Sequence, residues 1–258
     1  MAVNRPMPSL LEGVTIGSWL QLADPAIAEM MARGPFDWLT IDLEHTSTSI
    51  GEAGRIIRIV DLAGKPCLVR LSGHDVAQTK RVLDAGAAGI IVPNVNTPEQ
   101  AAAMVAAASY PPQGTRGVGL GRAQAYGIDF PGYREHADRN LVVIAQIEHV
   151  EGVENLEAIL AVEGVDGIFV GPYDLSASLG HPGEFDHPDY LEAMSTVGAQ
   201  IGKTQKVAGI HVVEPDLDAL RRAIGEGYRF VAFASEMLIM AHYLADLSEG
   251  LQEVRHTP

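Results

Sequence analysis

Short runs of apolar, often β-branched residues alternate along this chain with longer segments whose apolar positions recur every three or four residues. The short runs are almost continuously hydrophobic, which is typical of parallel strands covered on both faces. They predict eight strands, at Thr15–Leu20, Trp38–Asp42, Cys67–Leu71, Gly89–Val92, Val142–Ile147, Gly167–Val170, Ala208–Val212 and Phe230–Ala234. The periodic segments predict helices at Pro25–Arg33, Ser49–Ala63, Asp75–Ala85, Pro98–Ser109, Gly152–Ala161, Pro188–Thr204, Pro215–Gly225 and Glu236–Val254.

Eight successive strand–helix units predict an α/β fold, a (β/α)8 TIM barrel that forms a single domain over residues 1–258. The alternative is an open doubly wound sheet, which would need a glycine-rich turn after the first strand. The segment Gln21–Pro25 has no glycine, so the barrel is favoured. The connection from residue 93 to residue 141 contains only one clear helical pattern, and a loop of that length is more often functional than accidental.

Composition excludes several classes of protein. The formal net charge of −15 argues against a nucleic-acid backbone as partner. The single cysteine, Cys67, excludes an internal disulfide framework and predicts a buried, inert thiol. No secretory signal is recognised, and the longest apolar stretch, Phe230–Leu244, is interrupted by Glu236 and His242. A cytoplasmic protein is therefore expected.

In a barrel, catalytic groups lie at the carboxyl ends of the strands. Glu148 and Asp174 follow two adjacent predicted strands, and two carboxylates suit Mg²⁺ or Mn²⁺ better than zinc. Each could equally cap a following helix.

Two further side chains at the strand ends are candidates for chemistry. Arg70 suits a carboxylate or an enolate oxygen, with an ion pair to Asp42 or Asp84 as the alternative. His45 is either a hydrogen-bonded rim residue or a general base tuned by Asp42 and its neighbours.

The remaining side chains narrow the chemistry. The other histidines, including His211, lack metal-ligand spacing and are interpreted as structural or solvated. None of the lysines ends a predicted strand, so a Schiff-base mechanism has no nucleophile and carbonyl chemistry would require a metal.

Four segments together carry a family resemblance. They are Phe36–His45, Tyr110–Gly119, Gln146–Glu148 and Val165–Ser176, and they closely resemble the HpcH/HpaI aldolases, which are metal-dependent (class II) pyruvate aldolases. The resemblance extends from about residue 14 to residue 250. It implies a barrel of the phosphoenolpyruvate/pyruvate type whose last helix is swapped between subunits, in a homohexamer built as a trimer of dimers.

The resemblance also implies roles for individual residues. Glu148 and Asp174 would bind the divalent cation (Mg²⁺, Mn²⁺ or Co²⁺), and Gln146 with the backbone at Gly171 and Pro172 would contact pyruvate. Arg70 would stabilise the enolate oxygen, and His45, oriented by Asp42, would transfer protons. Asp84 has a family counterpart but follows the third helix, at the opposite face, so any role would come through the assembly.

The expected function is reversible cleavage of 4-hydroxy-2-oxoacids to pyruvate or hydroxypyruvate and an aldehyde, through a metal-stabilised enolate. Two alternatives stay open: an acyl-CoA lyase of the citrate lyase β-subunit type, and a non-catalytic barrel that binds a metal and a 2-oxoacid. The last predicted helix carries an apolar stripe, Met240, Leu244, Leu247, Leu251 and Val254. Its width predicts burial against more than its own barrel.

Overall fold

A computed structural model describes residues 10–255 of the chain as a closed barrel of eight parallel strands in sequence order. The strands are β1 (Thr15–Leu20), β2 (Trp38–Asp42), β3 (Cys67–Arg70), β4 (Gly89–Val92), β5 (Val142–Ile147), β6 (Gly167–Val170), β7 (Val207–Val212) and β8 (Phe230–Ser235). The sheet closes where β8 pairs with β1. The predicted TIM barrel is confirmed, with strand ends within one residue of those expected.

Helices cover the outside of the barrel. They are α1 (Pro25–Arg33), α2 (Ile50–Leu62), α3 (Val76–Asp84), α4 (Pro98–Ala108), α5 (Phe130–Asn140), α6 (Val150–Glu154), α7 (Leu156–Ala161), α8 (Pro172–Ser178), α9 (Pro188–Ile201), α10 (Leu217–Gly225) and α11 (Glu236–Arg255). A single 3₁₀ turn at Ala125–Gly127 precedes α5.

Three helical details differ from the sequence prediction. The connection from β4 to β5 holds a second helix, α5, so the expectation of only one helix there is wrong. Just Tyr133 and Ala137 of α5 are buried, which leaves too short an apolar stripe to detect. The segment expected to form one helix over Gly152–Ala161 is divided into α6 and α7 at Asn155. The short helix α8 was not predicted.

Local signals in the sequence explain most helix ends. Asp24 caps α1 by accepting hydrogen bonds from the amides of Ala26 and Ile27, with proline at the first helical position. Ser49 with Glu52, and Thr97 with Gln100, form capping boxes at α2 and α4. The predicted left-handed glycines after helices have positive φ, at Gly64, Gly86, Gly164 and Gly227.

The apolar core has two layers, one between the barrel and its helices and one inside the barrel. At the amino-terminal end of the inner layer, the rings of Trp38 and Phe230 stack with centroids 4.1 Å apart. Gly17 lies against this stack, since a Cβ atom there would come within 2.1 Å of the Trp38 ring. The stack therefore depends on a glycine in β1 and fills the floor of the barrel.

Two further sequence expectations can be compared directly with the structure. Cys67 is buried, and burial raises the pKa of its thiol far above the ordinary value, so it is inert as expected. Within residues 10–255, no helix has the length and apolar character needed to cross a membrane.

Candidate active site at the carboxyl ends of the strands

A cavity of about 230 Å³ opens at the carboxyl ends of the strands. Its lining comes from β1, β3, β5, β6, β7 and the segments that follow β2 and β8. It brings together most of the predicted site residues, with others: Trp19, Gln21, His45, Arg70, Gln146, Phe169, Gly171, Pro172, Asp174, His211, Val213 and Leu238. Residues from distant parts of the sequence meet here because all eight strands have their carboxyl ends at this face.

Arg70 is held by Asp42 on the neighbouring strand. β2 and β3 place the two residues directly opposite each other, and the guanidinium donates to both Asp42 oxygens, at 3.0 and 2.7 Å. Burial alone would raise the pKa of the Asp42 carboxyl, but the hydrogen bonds and charge of Arg70 outweigh it and hold that pKa below its ordinary value. Both alternatives for Arg70 are thus answered: it pairs with Asp42, and it still lines the cavity.

One wall of the cavity is aromatic. The guanidinium carbon of Arg70 lies 4.3 Å from the centroid of the Trp19 ring, a cation–π contact that fixes the plane of the arginine. Phe169 packs edge-on against Trp19 with centroids 5.8 Å apart, and His211 lies against the same ring at 5.5 Å. Arg70 is therefore restrained by a carboxylate on one side and an indole on the other.

Glu148 is a buried carboxylate just past β5. Its Oε1 accepts a hydrogen bond of 2.7 Å from the amide of Asn94, a residue with positive φ, and its Oε2 accepts one from the Gln146 side chain. A Cβ atom at Gly171 would come within 2.7 Å of Oε2, so the glycine leaves the room this carboxylate uses. Glu148 does not cap a helix, because His149 is the N-cap of α6.

Three carboxylates, those of Glu44, Glu148 and Asp174, lie close enough to affect one another's charge. Burial raises the pKa of Glu148, and the charges of Glu44 and Asp174 raise it further. Burial likewise raises the pKa of Glu44, against the opposing charge of Arg70 and with help from Asp42 and Asp174. Asp174, in the first turn of α8, is exposed to the cavity. Carboxylates that disfavour each other's charge are relieved by a cation between them.

The donors present fit a hard divalent cation. Glu148 and Asp174 offer carboxylate oxygens from adjacent strands, and the buried Gln146 Oε1 has no hydrogen-bond partner among the described residues. Oxygen donors of this kind, with room for substrate and water, match Mg²⁺ or Mn²⁺. Glu148 and Asp174 both follow the strands after which the sequence places them, and the charge of Asp174 raises the pKa of Glu148.

His45 lies at the outer rim. Its side chain is 57% exposed, and its Nε2 is 3.7 Å from Glu44 Oε2. Asp42 accepts a hydrogen bond from the His45 backbone amide, at 3.3 Å, and does not contact the ring. The structure therefore gives Asp42 a role in shaping the loop that carries His45, and Glu44 is the carboxylate beside the imidazole.

Asp84 lies away from the mouth, at the end of α3. Its Oδ1 accepts hydrogen bonds from the buried Arg116, at 2.7 Å, and from Gln124, at 3.2 Å. The guanidinium of Arg116 packs against both Tyr110 and Tyr133, at 4.6 and 5.4 Å from the ring centroids. Asp84 is not brought to the other site residues within one chain, as its position after a helix predicted.

Trp19 and His211 are two of the cavity residues that sequence reasoning did not assign to the site. Trp19 carried no motif signal, and its contact with Arg70 depends on the twist of the closed sheet. His211, interpreted as structural or solvated, lines the cavity instead. Its ring also contacts the carbonyl of Ala234, which is compatible with the structural role, and its place at the end of a predicted strand was the signal for its position in the cavity.

A second group of potential ligands lies outside the mouth. His181, His187 and Asp189 have ligand atoms within 4.8 Å of one another. The two imidazoles stack face to face with centroids 3.4 Å apart, and His187 Nδ1 accepts a hydrogen bond from the Asp189 amide. Lone pairs in nearly parallel planes do not converge on one point, so the group serves the start of α9.

Comparison with known proteins identifies the family of this chain. A sequence model of the HpcH/HpaI aldolase/citrate lyase family matches residues 15–242. A hydroxypyruvate/pyruvate aldolase of Pseudomonas aeruginosa is 39% identical over 252 residues, which cover 96% of this chain and 92% of that protein. A 4-hydroxy-2-oxovalerate aldolase of Novosphingobium aromaticivorans is 41% identical over 240 residues, covering 90% and 91% of the two chains.

A solved structure is similar over the whole barrel. The crystal structure of an HpcH/HpaI aldolase/citrate lyase family protein from Burkholderia cenocepacia J2315 superposes with a TM-score of 0.87 at 35% identity, covering 95% of this chain and 97% of that one. Sequence, fold and the cavity at the strand ends agree. The chain belongs to the HpcH/HpaI aldolase/citrate lyase family and is a carbon–carbon lyase.

Proposed function

We propose that this enzyme reversibly cleaves 4-hydroxy-2-oxoacids to a 2-oxoacid, pyruvate or hydroxypyruvate, and an aldehyde, with the help of a divalent cation. The observation that carries the proposal is a single cavity lined by Arg70 and Asp174, with Glu44 3.4 Å from the Arg70 guanidinium and Glu148 close enough for the charges of Glu44 and Asp174 to raise its pKa. A cation held by carboxylates beside a guanidinium suits a substrate with adjacent carboxylate and ketone oxygens.

Glu148 and Asp174 are the proposed cation ligands. The cation, Mg²⁺, Mn²⁺ or Co²⁺, would act as a Lewis acid that withdraws electrons from the substrate ketone. The hydrogen bonds from Asn94 and Gln146 hold Glu148 in place, so its side chain would lose little conformational entropy when the cation binds.

The substrate is bound and polarised by protein groups as well. Gln146 and the backbone at Gly171 and Pro172 line the cavity beside Glu148, where they contact the 2-oxoacid. Arg70 donates to the oxygen that becomes negative as the carbon–carbon bond breaks. Because Asp42 and Trp19 fix the guanidinium beforehand, it stabilises this charge without rearranging during the reaction.

Proton transfer is assigned to His45. Its exposed ring lies at the rim, where the aldehyde leaves and where the carbon of the enolate is protonated. Asp42 shapes the loop that holds it, and Glu44 Oε2 lies 3.7 Å from its Nε2. Asp84 contributes only through a second subunit, because within one chain it lies at the opposite face.

The acyl-CoA lyase alternative is less compatible with this mouth. Among the described residues that line the cavity, Arg70 is the only lysine or arginine, and Asp42 already neutralises it. The phosphates of a CoA substrate would need further positive charge at the rim. A non-catalytic barrel does not explain a guanidinium held ready beside carboxylates.

A paired substitution tests the cation site. Glu148→Gln keeps the shape but removes one carboxylate, whereas Glu151→Gln changes an exposed glutamate on α6 and serves as the control. We expect Mn²⁺ to raise the thermal midpoint of the wild type and the control but not of Glu148→Gln. Retro-aldol turnover, followed by release of pyruvate, should fall by about a hundredfold or more in Glu148→Gln alone. An active, chelator-insensitive Glu148→Gln variant would remove the metal from the mechanism.

We also propose that α11 packs against a second copy of the chain, in a hexamer built from dimers. Its apolar stripe stays exposed in the single chain: Met240 by 38%, Leu244 by 61%, Leu247 by 43%, Leu251 by 46% and Val254 by 69%. A continuous apolar face of this kind is typical of a subunit interface.

A further inference from the structure

Two histidines, His45 and His211, line the cavity, and His211 takes no part in the mechanism proposed above. It lies near the end of β7, beside β8, with its ring against Trp19 at a centroid distance of 5.5 Å. The same cavity is lined by the apolar side chains of Trp19, Phe169, Val213 and Leu238 and by the charged side chains of Arg70 and Asp174. Burying an imidazole costs free energy unless its ring nitrogens form hydrogen bonds.

The backbone of β8 is distorted next to this histidine. The pairing of β1 with β8 shifts register between Gly17 and Trp19, and Ala234 has a φ of +51°. For a non-glycine residue this left-handed conformation is strained and persists only where the surroundings determine it. The result is a carbonyl, that of Ala234, which receives hydrogen bonds from Ser18 Oγ and from His211 Nε2, each at 3.3 Å.

This contact determines the tautomer of His211. A carbonyl oxygen only accepts, so Nε2 must carry the hydrogen and Nδ1 is left with a lone pair. Within residues 10–255 no group donates a hydrogen bond to Nδ1. Burial lowers the pKa of the ring to about 4, with the charge of Arg70 acting in the same direction, so the lone pair stays free of a proton at neutral pH.

We propose that Nδ1 of His211 accepts a hydrogen bond from a hydroxyl group of the substrate, which makes this enzyme selective for hydroxylated donors or aldehydes over their deoxy counterparts. The inference rests on the function proposed above and extends it to the substrate class. In the proposed reaction, Arg70, Gln146 and the carboxylates bind the carboxylate and ketone of the 2-oxoacid. The hydroxyl that reaches His211 is therefore on a later carbon of the substrate. A deoxy substrate leaves an acceptor buried without a donor, and that difference gives selectivity.

Three variants test this selectivity. His211→Leu removes the acceptor at similar size, and His211→Gln keeps an amide that can donate to Ala234 and present an oxygen. The control is His74→Leu, because the His74 ring also contacts a carbonyl, that of Pro93 at 2.8 Å, but does not line the cavity. Thermal midpoints confirm that each variant is folded.

The assay uses matched substrates with Mg²⁺ or Mn²⁺ present. Hydroxypyruvate is compared with pyruvate using one aldehyde, and glycolaldehyde is compared with acetaldehyde using one donor. In one of the two pairs, His211→Leu should lower kcat/KM for the hydroxylated member by about tenfold and leave the deoxy member within about twofold. His211→Gln should keep most of the ratio, and His74→Leu all of it. The pair that responds identifies whether the hydroxyl belongs to the donor or to the aldehyde.

The outcomes against the inference are distinguishable. If His211→Leu changes both members of each pair by the same factor, or changes neither, the hydroxyl contact does not exist, whatever the reaction. If the wild type converts none of the substrates, the proposed function is wrong, and the assignment of His211 falls with it.

Discussion

Two buried arginine–aspartate pairs lie at opposite ends of this barrel. In one pair the arginine is the more exposed partner, and in the other the aspartate is. At the mouth, the Arg70 side chain is 11% exposed and Asp42 is fully buried. At the far face, Arg116 is fully buried against two tyrosines and the Asp84 side chain is 21% exposed. The nitrogen–oxygen distance is 2.7 Å in both pairs, so the difference lies in which partner is presented outward.

The difference separates two uses of the same interaction. At the mouth the carboxylate is the anchor and the guanidinium is presented, which suits an anionic substrate. At the far face the guanidinium is the anchor and the carboxylate is presented, on a chain whose net charge is already −15. A carboxylate held in this way suits a contact with another subunit better than a contact with an acidic small molecule.

The largest effect expected from this comparison is on turnover. Arg70→Met and Arg116→Met each leave a carboxylate without its cation, and each should destabilise the protein by about 3 kcal/mol. Only Arg70→Met should lower kcat/KM sharply, by about a hundredfold to a thousandfold, because it removes the donor to the developing negative charge. Arg70→Lys should fall between, since a lysine keeps the charge but not the two-point geometry. Denaturant unfolding and pyruvate-release kinetics provide the two measurements.

An equal loss of turnover in the two methionine variants, each corrected for its folded fraction, would mean that the far face takes part in catalysis as directly as the mouth.

A smaller effect is expected from separating the subunits. Leu244→Glu places a charge in the exposed apolar stripe of α11, and Ala245→Glu places the same charge on the opposite side of that helix. We expect Leu244→Glu to give a smaller species in light scattering and to lower turnover by about tenfold or more, because the contribution proposed for Asp84 of a neighbouring subunit would then be lost. Ala245→Glu should change neither. A dissociated Leu244→Glu protein with full activity would show that each barrel is complete alone.

The smallest effect concerns stability at acid pH. The pKa of His211 is lowered from 6.5 to about 4 in the fold, so between these values the unfolded chain binds a proton that the native chain does not. Lowering the pH through this range therefore lowers the free energy of unfolding, by up to about 1.4 kcal/mol per pH unit. His211→Leu lacks this term, whereas the raised pKa values of Glu44 and Glu148 act on both proteins alike.

The measurement is the difference in unfolding free energy between wild type and His211→Leu at pH 6.5 and at pH 5. The wild type should lose stability relative to the variant at the lower pH. A difference that is independent of pH would mean that His211 is protonated as readily in the fold as in the unfolded chain.

Much of the barrel could be predicted because its signals are local. Continuous apolar runs, capping residues and glycines after helices each act within a few residues, and together they located all eight strands. Helix α5 was missed because its sequence, with proline and glycine at its start, has few apolar positions. Its stability comes from Tyr133, which packs with Tyr110 and Arg116 across the long loop, a contact that no local pattern shows.

The site was predictable where it depends only on strand ends. Glu148, Asp174, Arg70 and Gln146 meet because parallel strands end at one face. The partner of Arg70 was not determined by sequence, since choosing Asp42 over Asp84 requires the register of β2 against β3. His211 was missed for a similar reason, because its orientation depends on the strained backbone at Ala234, and alanine gives no sequence sign of such a bend.

The stacked rings of Trp38 and Phe230 close the barrel at the amino-terminal ends of its strands. Because that end is closed, both products of a cleavage reaction must leave through the mouth at the carboxyl ends of the strands. In the reaction proposed above, the aldehyde half would lie nearer the rim and the 2-oxoacid half deeper, beside Arg70. We then expect the aldehyde to depart before the 2-oxoacid, and in synthesis the 2-oxoacid to enter first. A ring stack at the opposite end of the strands from the cavity would thus set the order in which ligands bind and leave.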